Sequence, residues 1–296
     1  MSLLAIADLD PERVVRLVRL GAEVKKNSSA YTTALAGRSI GLFFQKQSLR
    51  TWVSCDVAAI QLGIHPIVIR NDQTGLGTRE TPEDVGRVLD RYLDLLAMRV
   101  FDHGDLVAID DATSAPVVNL LSDLEHPCQA IADLMTLAEH KPLEESTIAY
   151  IGDGNNVCHS LILAAAMAGV QVMVATPHGY EPAADVVAAA GEHSSVTVTD
   201  DPAEAVEGAD AVYTDVWASM GQEDEAVLRR RHFSGYQVDL PLFEQARPDA
   251  VFLHCLPAHR GDEVSHEVIE HPRSRVFDQA ENRLHSFKAI LLDELG

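Results

Sequence analysis

The sequence predicts an α/β protein of two doubly wound parallel-sheet domains, with the active site in the cleft between them. Three observations lead to the two domains, and the place of the site is an expectation added to them. Short runs of branched apolar residues recur along the chain, each followed by a loop and a helix-like stretch. These runs are apolar throughout, as strands covered on both faces are. The series pauses near residues 140–146 and then restarts, and 296 residues with 47% apolar content can fill two cores.

In chain order, PERVVRLVRLGAEVKK spaces its apolar residues three and four apart, which predicts a helix packed on one face. SIGLFF, HPIVIR, LLAMRVF and PVVNLL then read as strands, with helical stretches such as TPEDVGRVLDRYLD between them. The helix HPCQAIADLMTLAEH and the following KPLEES mark the boundary. Beyond it, TIAYIG, VQVMVATP, VTVTD, DAVYTDVW and AVFLHCLP form a second strand series. The expected domains are residues 1–140 and 146–279, with a C-terminal helix over 280–296 returning to pack on the first.

Composition excludes several classes of function. A net charge of −22 would repel the phosphates of nucleic acid. No apolar run reaches about 18 residues, and Asp8 and Asp10 interrupt the stretch where a signal peptide would be apolar. A cytoplasmic protein without a membrane span is expected. Cys55, Cys128, Cys158 and Cys255 form no CxxC pair, so neither a zinc knuckle nor a disulfide framework is indicated. The histidines show no HxxxH spacing, and no metal site is expected.

Ligands of open α/β sheets bind beyond the carboxyl ends of the strands, so those loops carry the functional information. Ser48-Leu49-Arg50-Thr51 follows the first strand and opens a helix. Freed first-turn N–H groups, the helix dipole, a guanidinium and two hydroxyls could together hold a phosphate-sized dianion. Taken alone, the same loop also reads as a serine cap beside a surface arginine. Arg99 ends another strand of the first sheet, and His126-Pro127-Cys128-Gln129 starts a helix with an imidazole and an amide able to meet a carbonyl oxygen.

In the second half, GDGNN suggests a dinucleotide loop, but the third glycine of GxGxxG would fall at Val157, and no ribose-binding carboxylate ends the next strand. Asn155 and Asn156 instead offer amides to a polar small molecule. Asp215 at a strand end suits an ammonium group or a helix cap, and it precedes Ser219, Met220 and Gly221. His254-Cys255 places neighbours on opposite strand faces, which argues against a cysteine nucleophile activated by that histidine.

These motifs, taken together and in order, resemble the aspartate/ornithine carbamoyltransferase family over nearly the whole chain: SLRT, HPCQAIADL, GDGNNVCHS, DVWASMGQE, HCLPAHRGDEV and FDQAENRLH. HPCQ, SMG and HCLP resemble its ornithine branch. The resemblance implies that Ser48, Leu49, Arg50 and Thr51 bind the phosphate of carbamoyl phosphate. It implies that Arg99, His126 and Gln129 contact the carbamoyl part and that Arg283 closes over the same ligand. Asn156, Asp215, Ser219 and Met220 would hold the α-amino and α-carboxylate groups of ornithine, with Cys255 and Leu256 lining the place of its side-chain amine. Arg99, His126, Gln129 and Cys255 are the implied catalytic set. Carbamoyl transfer needs no metal or organic cofactor. Family members are trimers or multiples of trimers, which implies that residues 71–80 reach into a neighbour's site.

Departures cluster at the phosphate loop. Trp52 stands where the family has a second arginine, Gln45 for an asparagine or glutamate, Gln47 for a proline, and Cys55-Asp56 for a Phe-Glu pair. Gly75 replaces a common glutamine and Thr78-Arg79 a common Arg-Gly. Either Trp52 and Arg79 reshape the site for another amine acceptor, or Trp52 repacks a subunit contact. A non-catalytic paralogue that keeps the fold as a binding or partner subunit is the reading from a different class.

Overall fold

The structure is a computed structural model that describes residues 2–218 and 225–296, the side chains of Gln73 and Ala226 excepted. The chain divides into two compact units, residues 1–135 with 281–296 and residues 136–280.

The first unit holds a parallel sheet of β1 (Ser39–Phe44), β2 (His65–Arg70), β3 (Leu95–Arg99) and β4 (Val117–Leu121), in the order β2-β1-β3-β4. Strands β1 and β3 lie in the middle and bury almost every residue, which is why their sequences are apolar without alternation. At the edge, β2 leaves His65, Ile67 and Arg70 exposed. Phe43, Leu96, Met98, Leu106, Ile109 and Val117 belong to one apolar cluster of this unit.

The opening helix, Pro11–Lys26, starts where the sequence says it should: Asp10 accepts from Arg13 N–H at 2.7 Å, and proline occupies the first turn. Its Arg13 donates to Asp293 at 2.7 Å and also meets Glu294, tying the chain's last helix to its first. That last helix runs from Val276 to Leu295, one turn longer at its start than its apolar pattern indicates.

The second unit holds a parallel sheet of β5 (Thr147–Ile151), β6 (Gln171–Ala175), β7 (Val196–Thr199), β8 (Ala211–Thr214) and β9 (Val251–His254), ordered β7-β6-β5-β8-β9. The strand order reverses beside β5, between its neighbours β6 and β8, the switch point at which such sheets offer a crevice. The GDGNN loop follows β5, Asp215 follows β8 and Cys255 follows β9, so three adjacent strands deliver their loops to one sheet edge.

Candidate active site

In the first unit, the chain leaves β1 through Gln45, Lys46 and Gln47 and enters the helix Leu49–Gln61 at Ser48. Ser48 is extended, and its Oγ accepts from Thr51 N–H at 3.3 Å while donating to Thr51 Oγ1 at 2.9 Å. Thr51 is fully buried, and Arg283 of the C-terminal helix donates from Nη2 to its hydroxyl. A hydroxyl pair at a helix start thus receives a guanidinium from the far end of the chain. Arg50 is half-buried in the same first turn, and Leu49 points outward.

Gln45 fixes this loop to the next strand. Its N–H donates to Arg99 O at 2.8 Å, and its Oε1 accepts from Phe101 N–H at 2.8 Å. Arg99 itself is buried at the end of β3. Lys46 lies 4.7 Å above the Phe101 ring, and burial, reinforced by the charge of Arg99, lowers its pKa.

His126 precedes the helix Pro127–Ala138 and is buried. Burial, followed by the positive charges of Arg283 and Arg99, holds its pKa well below the usual 6.5. The imidazole is therefore neutral at pH 7, with one nitrogen to donate and one to accept. Gln129 lies three residues on, buried in the first turn of that helix, and its Nε2 donates to Asp133 Oδ1 at 2.7 Å. The same positive groups pull on the Cys55 thiol, yet burial wins and pushes it up to about 12. Cys128 is raised as well, again by burial. Both thiols are protonated at neutral pH and unsuited to nucleophilic attack.

Trp52 turns away from this buried group. It is 47% exposed and borders a pocket of about 460 Å³ shared with Gln45, Lys46, Ser48, Leu49 and Arg70. In the loop after β2, Gly75 has φ +65°, and a side chain there would start 2.8 Å from Arg79 Cβ. A longer side chain at 75, such as glutamine, would therefore collide with this loop path.

In the second unit, Asp215 accepts two side-chain hydrogen bonds, from Asn155 Nδ2 at 3.0 Å and from Cys255 Sγ at 3.0 Å. Asn155 also caps the helix Asn156–Met167, its Oδ1 accepting from Val157 and Cys158 N–H. Asn156, the expected ligand contact, lies half-buried at the first helical position. Ser219 and Met220, also expected there, lie outside the described residues. The close approach that Gly154 permits is to the chain itself: a Cβ there would lie 2.2 Å from Pro182 N. That leaves no glycine cradle for a pyrophosphate.

Asp215, His254 and Cys255 bring potential ligand atoms within 4.8 Å of one another, a grouping that the sequence spacing did not announce. Both nitrogens of His254 are already engaged: Nδ1 accepts from Leu256 N–H at 2.9 Å, and Nε2 faces Glu263 Oε1 at 3.2 Å. Glu263 also accepts from His259 N–H. This buried pair holds Leu256 at φ +57°, a strained value for a residue with a branched side chain, and so sets the path of the chain beside Cys255.

Four of these positioning contacts were not read from the sequence: Gln129 with Asp133, His254 with Glu263, Asn155 with Asp215, and a clamp at Arg229. Arg229 donates from Nη1 to Asp153 Oδ2 at 2.7 Å and to Trp217 O at 2.9 Å. Burial raises Asp153 to about 6 in spite of that guanidinium. The first pair had a local signal, a glutamine and an aspartate four apart on a helix. The others join residues 9, 60 and 76 positions apart, beyond the reach of a helical turn.

Sequence comparisons accord with this geometry. Residues 1–139 match the family domain described as the aspartate/ornithine carbamoyltransferase carbamoyl-P binding domain, and residues 144–293 match the Asp/Orn binding domain of the same family. The chain is 48% identical to an ornithine carbamoyltransferase of Synechocystis sp., covering 100% of this chain and 96% of that one. It is 43% identical to one from Methanocaldococcus jannaschii, covering 98% and 97%. The solved ornithine carbamoyltransferase from Pyrococcus furiosus superposes with a TM-score of 0.95 at 44% identity, covering 100% of this chain and 97% of that one. The Thermus thermophilus structure gives 0.92 at 43% identity, covering 100% and 99%.

Proposed function

The chain belongs to the aspartate/ornithine carbamoyltransferase family, and on that premise we propose that it transfers the carbamoyl group of carbamoyl phosphate to the side-chain amine of L-ornithine, giving L-citrulline and phosphate. The observation that carries this proposal is the group in which half-buried Ser48 meets buried Thr51 and Arg283, together with the buried Arg99, His126 and Gln129 of the same unit. Hydroxyls, helix N–H groups and guanidinium suit a phosphate dianion. A neutral imidazole, a second guanidinium and an amide suit a carbamoyl group.

In this reaction the neutral amine attacks the carbamoyl carbon, a C–N bond forms, and the carbonyl electrons move onto oxygen. Collapse of the tetrahedral intermediate expels phosphate with the C–O bonding pair. Arg99 and the neutral His126 stabilise the developing oxyanion, for which a well-placed donor is worth about 3–4 kcal/mol. Ser48, Thr51 and Arg283 orient the leaving group. An alkyl ammonium has a pKa near ~10.4 and must lose one proton to solvent before it attacks; the attacking nitrogen sheds a second proton as the C–N bond forms, and the departing phosphate accepts that one. Asp215 takes the α-ammonium of ornithine, while Asn156, Ser219 and Met220 complete the grip on the amino-acid end. Cys255 and Leu256 line the place of the side-chain amine.

The test is direct. Purified protein is incubated with carbamoyl phosphate and, separately, ornithine, lysine, putrescine and N-acetylornithine, with ureido product and phosphate measured together. Citrulline and phosphate in equal amounts from ornithine are expected. Transfer only to another acceptor would overturn the ornithine assignment.

The proposal includes a homotrimer, or a multiple of trimers, in the cytoplasm, serving arginine metabolism. The assembly is supported by Leu49, Trp52, Val53 and Ile60, which leave an apolar side of one helix exposed in the single chain, close to the open edge of β2. Residues 71–80 would then contribute to a neighbour's site. No helix among the described residues is long and apolar enough to cross a membrane. Light scattering should give three times the 32.2 kDa chain mass, or a multiple of that, and Trp52→Ala should shift dissociation to higher protein concentration.

A further inference from the structure

We infer that Asp133 sets the donor specificity of the site by fixing which end of the Gln129 amide faces the ligand. The inference rests on carbamoyl phosphate being the donor, and it adds a residue that acts through another: Asp133 is a positioning residue. Gln129 and Asp133 stand four apart on the helix Pro127–Ala138, on one face, and each is 1% exposed. Gln129 Nε2 lies 2.7 Å from Asp133 Oδ1. A carboxylate accepts hydrogen bonds and has none to donate, so the atom it draws must be the amide nitrogen and cannot be the oxygen.

With the NH2 end tethered, Gln129 presents its Oε1. That atom is buried and accepts no hydrogen bond among the described residues. A buried carbonyl oxygen left without a donor is costly, and the cost is relieved by a ligand that brings an N–H. The carbamoyl group has two such hydrogens. An acetyl group of the same shape has a methyl instead, and would leave Oε1 facing carbon.

The surroundings divide the work. Arg99, Arg283 and the neutral His126 supply positive charge and donors, which suit the phosphate and the carbonyl oxygen but do not distinguish carbamoyl from acetyl. Gln129 Oε1 is an acceptor in a neighbourhood of donors. Without Asp133 the amide could turn its NH2 toward the ligand and would then favour no N–H-bearing donor over its ketone counterpart.

The experiment compares two phosphonates that differ only at this point, phosphonoacetamide and acetonylphosphonate, with inorganic phosphate as the reference. Their affinities are measured by calorimetry on the full-length protein. The wild type should bind the amide about tenfold or more tighter than the ketone. In Asp133→Ala and Asp133→Leu, which remove the acceptor, the ratio should fall toward one, while phosphate affinity, which depends on Ser48, Thr51 and Arg283, is retained and reports a folded site.

Equal affinity of the wild type for amide and ketone would overturn the inference without any variant. So would an amide preference that survives in a variant that still binds phosphate, since Asp133 would then be a packing residue only. Failure of the wild type to bind any of the three would overturn the carbamoyl phosphate reading itself.

Discussion

Arg283 reaches back across 232 residues of sequence to donate to the buried hydroxyl of Thr51, so the last helix of the chain completes the loop that follows its first strand. A donor of this kind, charged and shielded from water, contributes about 1.5–3 kcal/mol to a bound phosphate. Arg283→Ala should therefore weaken inorganic phosphate by roughly 10- to 150-fold at constant salt. Calorimetric titration checks this, and an unchanged affinity would remove Arg283 from the phosphate group of residues.

His126 links the site to acid stability. The unfolded chain protonates this histidine near 6.5, whereas burial and the two arginines keep it neutral when folded. Below that pH the unfolded state binds the extra proton, so the stabilisation is present above 6.5 and is lost as pH falls toward the folded value. Urea unfolding from pH 8 to pH 5 should show a decline that His126→Asn reduces. Parallel profiles for wild type and variant would contradict it. Carbamoyl transfer should be nearly abolished in the same variant.

Asp215 should separate the two substrates. Its carboxylate already holds Asn155 and Cys255, and an amide in its place cannot accept from both and also neutralise an ammonium. Asp215→Asn should raise the KM for ornithine by about tenfold or more and leave the dissociation constant of carbamoyl phosphate near that of the wild type. Steady-state kinetics with each substrate varied in turn decide the matter; equal losses for both would point to general disruption of the fold.

Gly154 offers a prediction on stability alone. The backbone of Pro182 occupies the space a side chain would need, and backbone yields less readily than a side chain. Gly154→Ala should cost about 1–3 kcal/mol, seen as a lower Tm in calorimetry. No change would mean that the two loops are not held together as described.

The strands were legible because burial on both faces demands continuous apolar runs, and SIGLFF, LLAMR and TIAYI could serve no other purpose at that length. HPIVIR looks equally apolar, yet β2 lies at the edge with its side chains partly exposed. Nothing local distinguishes an edge strand from a central one, since the difference lies in what packs beside it. The helix start after β1 was legible from Ser48 and Thr51, whose capping role depends on a spacing of three residues. The strained Leu256 was not, because its support comes from Glu263 through the side chain of His254.

The sequence by itself determined the alternation of strand and helix, the position of each loop at a strand end, and the residue types gathered there. These depend on periodicity and capping, which act over a few residues. Only the tertiary structure decided which distant groups meet: Arg283 with Thr51, Asn155 and Cys255 with Asp215, Arg229 with Asp153. It also decided the charge state of His126, because desolvation and the fields of two arginines come from parts of the chain that proximity in sequence does not bring together.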